Sequence, residues 1–171
     1  DVFAEDDNQG FATFVKKTEA TWKTTFEDFI AEYYPESRPE QIVVYGEWAG
    51  NGIQNKDAVT MLKQKYFFVF AVEVDGIVFN DASTMSGAAA ELDNVLVLRC
   101  DEIVSIDFAD DSSTRETLER LSAEVEEVGK IDPFIKSVFE VEGPGEGYVL
   151  SPMTTEKGMS RGKWAALTFK A

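Results

Sequence analysis

The alternation of apolar and polar positions predicts where this chain forms strands. A dense apolar run at residues 66–74, the pair Asp75-Gly76 and a second run at 77–79 predict a β-hairpin, because Asp-Gly favours a tight turn. The stretch from Ile42 to Gln54 begins as a strand and ends in a glycine turn, and we expect the chain to be organised around it. Further strands are predicted at 95–98, 103–108 and 164–170, and residues 1–15 are typical of two short strands across a polar turn.

Apolar residues at helical spacing predict the helices. They are expected at residues 17–34, 84–93, about 112–128 and from Pro133 onward. Pro35 ends the first of these, and Gly129 lies just beyond the third, whose N-cap we expect at Ser112, Ser113 or Thr114. Because strands and helices follow one another in mixed order, we predict an α+β domain with antiparallel sheets and flanking helices.

Composition agrees with a folded protein of one domain. The chain has 171 residues, of which 44% are apolar and thirteen are Phe, enough to build a core. The single cysteine, Cys100, excludes an internal disulfide and is typical of a reducing compartment, so we expect a cytoplasmic protein. No long apolar run or basic-then-apolar leader is present, so no membrane partner is expected. We also expect a monomer.

The absence of histidine limits the possible chemistry. It excludes Ser-His-Asp and Cys-His catalysis and every metal site that needs an imidazole. The charge balance of 16 Lys plus Arg against 32 Asp plus Glu gives a formal charge of -16. Such a chain repels polyphosphates at long range, so binding of a nucleic acid would require a local basic patch.

Three separate segments each place one ionisable group at the edge of a predicted strand. These groups are Glu47, Glu146 and Lys170, and the run Phe67–Phe70 adds aromatic faces. Two carboxylates can hold a ribose hydroxyl and a divalent cation, a lysine can neutralise a phosphate, and a phenylalanine can stack on a base. This set of residue types suits a nucleoside triphosphate with magnesium. Each type also has an ordinary role, since a strand-end lysine commonly extends into water.

Four segments resemble sequence motifs of one enzyme family in the same order and spacing. Tyr45–Gln54 resembles motif III of the covalent nucleotidyltransferases, in the form typical of ATP-dependent RNA ligases of the phage and RNA-editing type. Phe67–Val72 resembles the aromatic motif that follows, Glu146–Pro152 resembles motif IV, and Leu167–Ala171 resembles the start of motif V. The resemblance therefore covers residues 45–171 and implies a partial adenylation domain over residues 1–171.

The resemblance implies a role for each of the four candidate residues. Glu47 would bind the ribose of the adenylate, Phe70 would stack on adenine, Glu146 would organise Mg²⁺, and Lys170 would contact the phosphate of AMP. The implied reaction uses ATP to seal RNA with nicked or broken ends. A lysine attacks the α-phosphorus, AMP passes to the 5′-phosphate of the RNA, and a 3′-hydroxyl then displaces AMP.

The chain departs from the family pattern at several places. The nucleophile motif Lys-x-Asp-Gly is absent, and because it precedes motif III in the family, we expect the N-terminal part of the domain to be missing here. Only the first of the two lysines of motif V is present. Ala71 replaces a common acid, and Ser151 replaces a frequent lysine. We therefore expect that these residues do not adenylate themselves.

Other functions remain open at this point. A DNA ligase or an RNA-capping guanylyltransferase would share the same superfamily motifs. A non-catalytic nucleotide-binding module would fit the acidic charge and the absent nucleophile.

Overall fold

The computed structural model describes residues 6–53, 56–98, 100, 102–154 and 157–170. The α-helices are α1 (Phe11–Lys17), α2 (Glu19–Tyr33), α3 (Ala82–Ala88), α4 (Asp111–Val128), α5 (Pro133–Phe139) and α6 (Arg161–Ala166). The strands are β1 (Ile42–Gly50), β2 (Lys65–Val74), β3 (Ile77–Phe79), β4 (Val95–Val97), β5 (Val149–Leu150), β6 (Met159–Ser160) and β7 (Phe169–Lys170).

These elements form two compact units. Unit 1 consists of Asp1–Ala49, Lys65–Arg99 and Thr154–Lys163. Unit 2 consists of Gly50–Gln64, Cys100–Met153 and Trp164–Ala171. Each unit therefore combines segments that are far apart in the sequence.

Unit 1 is built on a five-stranded sheet with the order β1-β2-β3-β6, in which β2 also pairs with β4. The pairs β2–β3 and β3–β6 are antiparallel, whereas β2–β4 is parallel. At the turn between β2 and β3, Asp75 and Gly76 both have positive φ angles, of 48° and 83°. These angles are typical of the turn that the Asp-Gly pair predicts, so the predicted hairpin is confirmed.

One face of this sheet packs against α1, α2 and α3, and we call it the helical face. The ring of Phe67 lies 5.1 Å from that of Phe11 and 6.1 Å from that of Trp22, measured between centroids. Phe29 of α2 is 1% exposed in the same cluster. Burial of each such ring contributes roughly 1.5–3 kcal/mol, so this aromatic layer is a main source of stability for unit 1.

Unit 2 contains α4, α5 and a two-stranded antiparallel sheet of β5 and β7. Helix α4 begins at Asp110, whose side chain accepts hydrogen bonds from the backbone N–H groups of Ser112 and Ser113. The predicted cap at residues 112–114 is therefore wrong by a few positions. Helix α5 begins as predicted at Asp132-Pro133, with the Asp132 carboxylate capping the backbone N–H of Ile135.

Two of the predicted strands are wrong. Residues 11–15 belong to helix α1, because Phe11 and Phe14 both pack against Trp48 at helical spacing and Asp7 Oδ1 accepts the N–H of Thr13. Residues 1–5, the first part of that prediction, lie outside the described residues. Residues 103–108 form no strand, because Ile103 and Phe108 are exposed without a neighbouring strand to pair with.

Two further predictions need new boundaries. The helix predicted at 84–93 is α3, which ends at Ala88, after which Ala89 is extended. The strand predicted at 164–170 is reduced to Phe169–Lys170, because the Thr168 hydroxyl donates to the carbonyl of Trp164 and closes the end of α6. The α+β class with antiparallel pairing and flanking helices is confirmed. No helix among the described residues is long and apolar enough to cross a membrane.

Candidate functional site

Glu47 projects from the face of the unit 1 sheet opposite the helices, which we call the second face. Its neighbour Trp48 points the other way, since its ring stacks on Phe14 of α1 at 4.9 Å. Side chains alternate along a strand, so Glu47 and Tyr45 share the second face. The side chain of Glu47 is exposed there, inside β1, which continues for three more residues to Gly50.

Gly46, which precedes Glu47, is required by packing. A Cβ atom at this position would lie 2.5 Å from two ring carbons of Phe67 and 2.8 Å from the carbonyl oxygen of Phe68. Gly46 therefore lets β1 approach the aromatic layer on the helical face. The glycine of the Gly-Glu pair thus has a structural explanation that does not involve a ligand.

Phe70 lies in the middle of β2. Phe67, Val69, Val72 and Val74 all belong to the core cluster on the helical face, so strict alternation along β2 is interrupted between Val69 and Val72, where Phe70 lies. It is 38% exposed, in a strand whose residues from Phe67 to Val74 are otherwise buried. An exposed aromatic ring on this strand is available to stack on a planar ligand.

Glu73 is a residue of the second face that sequence reasoning missed. It is 3% exposed, and its Oε2 atom accepts a 2.7 Å hydrogen bond from the hydroxyl of Tyr45. The Nε atom of Arg161 lies 3.7 Å from the same oxygen. Burial, followed by the hydrogen bond and charge of Glu73, raises the pKa of the Tyr45 phenol. The only signal in the sequence is one acid within an apolar run.

Glu146 and Lys170 form the second pair of candidate residues, and they lie in unit 2. Strand β5 pairs with β7 in the register Val149↔Lys170, which brings the two segments together. The Nζ atom of Lys170 lies 2.5 Å from Oε2 of Glu146. The lysine side chain is 57% exposed and the glutamate side chain 34% exposed. The structure therefore joins a cation and an anion that are distant in the sequence.

The four candidate residues thus fall into two pairs. Glu47 and Phe70 lie on adjacent strands of unit 1, and Glu146 and Lys170 form an ion pair in unit 2. Their convergence on one adenylate stays a prediction.

The donor set around Glu146 limits the metal ions that would fit. No group of three or more Cys, His, Asp or Glu side chains suited to a metal occurs within the described ranges. A single carboxylate does not make a protein cage for Ca²⁺ or Zn²⁺. It does suit Mg²⁺, which commonly uses one or two carboxylates and takes its other ligands from water and substrate phosphate. Mg²⁺ held by Glu146 would supply charge stabilisation at a bound phosphate.

The segment nearest to the nucleophile motif in the described chain is Lys130-Ile131-Asp132-Pro133, and its residues have structural roles. Asp132 caps α5, and Lys130 makes an ion pair with Glu127 at 2.6 Å. The hydrogen bond with Glu127 raises the pKa of Lys130. Pro133 stands where the motif has glycine, so this segment does not match Lys-x-Asp-Gly.

Comparison of the chain with protein-family models, curated proteins and solved structures gives no match.

Proposed function

We propose that this chain is part of the adenylation domain of an ATP-dependent RNA ligase. The domain seals RNA ends through an enzyme-bound adenylate and an RNA adenylate. The observation that carries the proposal is the contact between Glu146 and Lys170, which belong to the segments that resemble motifs IV and V. The resemblance requires a metal-binding carboxylate and a phosphate-binding lysine close together, and these two side chains are 2.5 Å apart.

The charges of this pair are suited to a magnesium–phosphate ligand. In the structure, the ammonium group of Lys170 neutralises the carboxylate of Glu146. A phosphate group would take the place of the carboxylate next to Lys170, and a divalent cation would take the place of the ammonium next to Glu146. Each of the two side chains then exchanges one oppositely charged partner for another, so binding of the ligand leaves neither side-chain charge unpaired.

The residue types found in unit 1 are suited to a nucleoside. Glu47 has an acceptor for the ribose hydroxyls, and Phe70 has an aromatic surface for adenine. Both are exposed residues on adjacent strands of the sheet. Stacking of a base on an aromatic ring contributes about 1–3 kcal/mol, and the carboxylate adds orientation through hydrogen bonds.

In the sealing reaction, the proposed roles of these side chains are binding and orientation. Lys170 would stabilise negative charge that develops on the phosphorus as the RNA 3′-hydroxyl attacks and AMP leaves. Glu47 and Phe70 would hold the adenosine so that AMP departs in line with the incoming hydroxyl. None of the eleven lysines of this chain begins a Lys-x-Asp-Gly sequence, the motif of the nucleophile in the first step. We therefore propose that these residues bind the adenylate without becoming covalently attached to it.

Calorimetric titration of the 171-residue chain with AMP and Mg²⁺ tests the proposal. We expect saturable binding, and a loss of about 10- to 100-fold in affinity in Lys170→Met, which removes a charge-assisted hydrogen bond to phosphate. Lys136→Met is the matched control, because Lys136 forms a comparable exposed ion pair with Glu142 at 2.8 Å in the same unit. Equal effects of the two variants, or no binding by the unchanged chain, would contradict the proposal. GMP in place of AMP tests the guanylyltransferase alternative.

A second experiment tests the absence of self-adenylation. Incubation with radiolabelled ATP and Mg²⁺ should leave the protein without covalent label. A labelled protein would show that another residue acts as nucleophile. In a longer chain that joins RNA, Glu47→Ala should strongly reduce sealing while the fold stays intact.

A non-catalytic nucleotide-binding module is the second candidate function. It is favoured by the absence of Lys-x-Asp-Gly and by Ser151 at a position where the family frequently has lysine. The coding sequence that precedes Asp1 discriminates between the two candidates. A Lys-x-Asp-Gly segment there supports a ligase, and its absence supports a binding module.

A further inference from the structure

The positive charges of this acidic chain are concentrated near its C-terminal end. Residues 157–171 contain no Asp or Glu, and their four cations are Lys157, Arg161, Lys163 and Lys170. The remaining 156 residues contain the other 12 of the 16 Lys and Arg residues and all 32 Asp and Glu residues. A local excess of positive charge is the feature that an acidic protein needs to bind a polyphosphate.

Three of these cations lie in unit 1, in the stretch 157–163, which we call the basic segment. Lys157, Arg161 and Lys163 are all exposed. Strand β6 within this segment pairs with β3 in the register Ile77↔Ser160 and Val78↔Met159, and the backbone N–H of Arg161 donates to the carbonyl of Gly76. The sheet therefore fixes the backbone between the cations.

Gly158 holds the segment close to the sheet. It has a φ of +63°, and a Cβ atom there would lie 2.4 Å from Cγ2 of Ile77 and 2.8 Å from Cε1 of Phe79. A fixed backbone reduces the conformational entropy that the cationic side chains lose when they bind a ligand. The basic segment is thus a pre-organised surface.

Arg161 connects this segment to the second face of the sheet. Its guanidinium contacts Glu73 through Nε at 3.7 Å, and Glu73 in turn accepts the hydrogen bond from Tyr45. The side chain of Arg161 is 68% exposed, and within the described chain it makes no ion pair besides the one with Glu73. Most of the Arg161 side chain is therefore accessible to solvent, and its guanidinium can donate two parallel hydrogen bonds to one phosphate.

The geometry points to the basic segment as a binding surface for the phosphate backbone of single-stranded RNA, with charge supplied by Arg161, at the start of α6, and by Lys163, two positions further along α6. This inference rests on the proposed function, because it assigns the RNA substrate to a surface of the unit that carries Glu47 and Phe70.

The test compares two variants that lose the same charge at different places. Arg161→Gln/Lys163→Gln alters the basic segment, and the matched control Lys16→Gln/Lys17→Gln alters two exposed lysines of α1 in the same unit. Binding of a fluorescein-labelled 12-nucleotide single-stranded RNA with a 5′-phosphate is measured by anisotropy between low and moderate salt.

We expect the first variant to bind RNA at least fivefold more weakly and the control to change less than twofold. Since single strands contribute about 0.7 to the salt slope for each phosphate contact, the slope should fall by about 1.4 in the first variant. Equal losses of RNA affinity in both variants would mean that binding depends only on the overall charge, which would overturn the inference. Unchanged RNA affinity in Arg161→Gln/Lys163→Gln would overturn it as well. If loss of Arg161 unfolds the protein, the single variant Lys163→Gln repeats the test, because it leaves the contact between Arg161 and Glu73 in place.

Titration of the same samples with AMP and Mg²⁺ separates this inference from the proposed function. Arg161→Gln/Lys163→Gln should bind AMP as the unchanged chain does. If the unchanged chain binds AMP but not RNA, the inference of an RNA-binding surface is wrong and the proposed function stands. If it binds RNA but not AMP, the proposed function is wrong and the RNA-binding surface stands. If it binds neither, both are wrong.

Discussion

The hydroxyl of Tyr45 donates a 2.7 Å hydrogen bond to the carboxylate of Glu73, which is only 3% exposed. A buried carboxylate without a donor is costly, so this bond stabilises unit 1. We expect Tyr45→Phe to lower the free energy of unfolding by about 1–3 kcal/mol, the usual cost of leaving one buried partner unsatisfied. Urea denaturation measures this change. An unchanged midpoint would mean that Arg161 or water satisfies Glu73 fully.

The same pair predicts how stability depends on alkaline pH. Burial, then the hydrogen bond and charge of Glu73, raise the pKa of Tyr45 above its ordinary value of about 10, whereas Arg161 opposes the shift. A group whose pKa is raised on folding contributes stability that is fully present below its unfolded pKa. That contribution is lost as the pH rises through the folded pKa. The stability difference between the unchanged protein and Tyr45→Phe should therefore shrink above pH 10.

Urea midpoints at a series of pH values from 8 to 11 check this dependence. Tyr34→Phe serves as a comparison, because burial and then the charge of Asp75 also raise the pKa of Tyr34. The two tyrosines should contribute separately to the alkaline loss. A difference between Tyr45→Phe and the unchanged protein that stays constant from pH 8 to 11 would argue against a raised pKa at Tyr45.

Gly158 and Gly76 allow steric and backbone effects to be separated. Both have positive φ angles, of 63° and 83°, so alanine at either position costs about 1–2 kcal/mol in backbone strain. A Cβ at Gly76 would meet nothing within 4 Å, whereas one at Gly158 would overlap Ile77 and Phe79. We expect Gly158→Ala to lower the free energy of unfolding more than Gly76→Ala does, by about 1–3 kcal/mol. Equal thermal midpoints would show that β6 shifts to admit the methyl group.

Phe70 should matter for ligand binding more than for stability. Because its side chain is 38% exposed, Phe70→Ala should change the free energy of unfolding by less than about 1 kcal/mol. Loss of base stacking should weaken AMP binding by about 1–3 kcal/mol, and Phe70→Trp should restore it. Calorimetric titration provides the affinities, with Phe108→Ala as control because Phe108 is 81% exposed in unit 2. Identical affinities in the two alanine variants would remove Phe70 from the site.

Local signals in the sequence predicted local structure well. The Asp75-Gly76 turn, the strand pair around it and the Asp132-Pro133 helix start all depend on residues within a few positions of one another. The run at 11–15 was misinterpreted because a short apolar segment fits a strand or a helix equally, and only packing against Trp48 decides. At 103–108, β propensity is not sufficient because no neighbouring strand lies beside it.

Residue type and predicted strand position mark Glu146 and Lys170 separately as candidates. Their contact depends on the β5–β7 register, which the sequence does not encode locally. Glu73 was missed because its role depends on Tyr45 and on Arg161, which are 28 and 88 positions away. The role of a buried acid is identified from the side chains that contact it, and these contacts are known only from the structure.

The turn at Asp75-Gly76 joins three parts of the chain that are synthesised at different times. The Asp75 carboxylate accepts the N–H groups of Glu40 and Gln41, and the Gly76 carbonyl accepts that of Arg161. Hairpins form within microseconds, whereas pairing across a long separation waits for the chain to close on itself. We therefore expect the cations at 157–163 to reach their places after the hairpin has formed, so that a chain with the hairpin alone would lack the basic segment beside it.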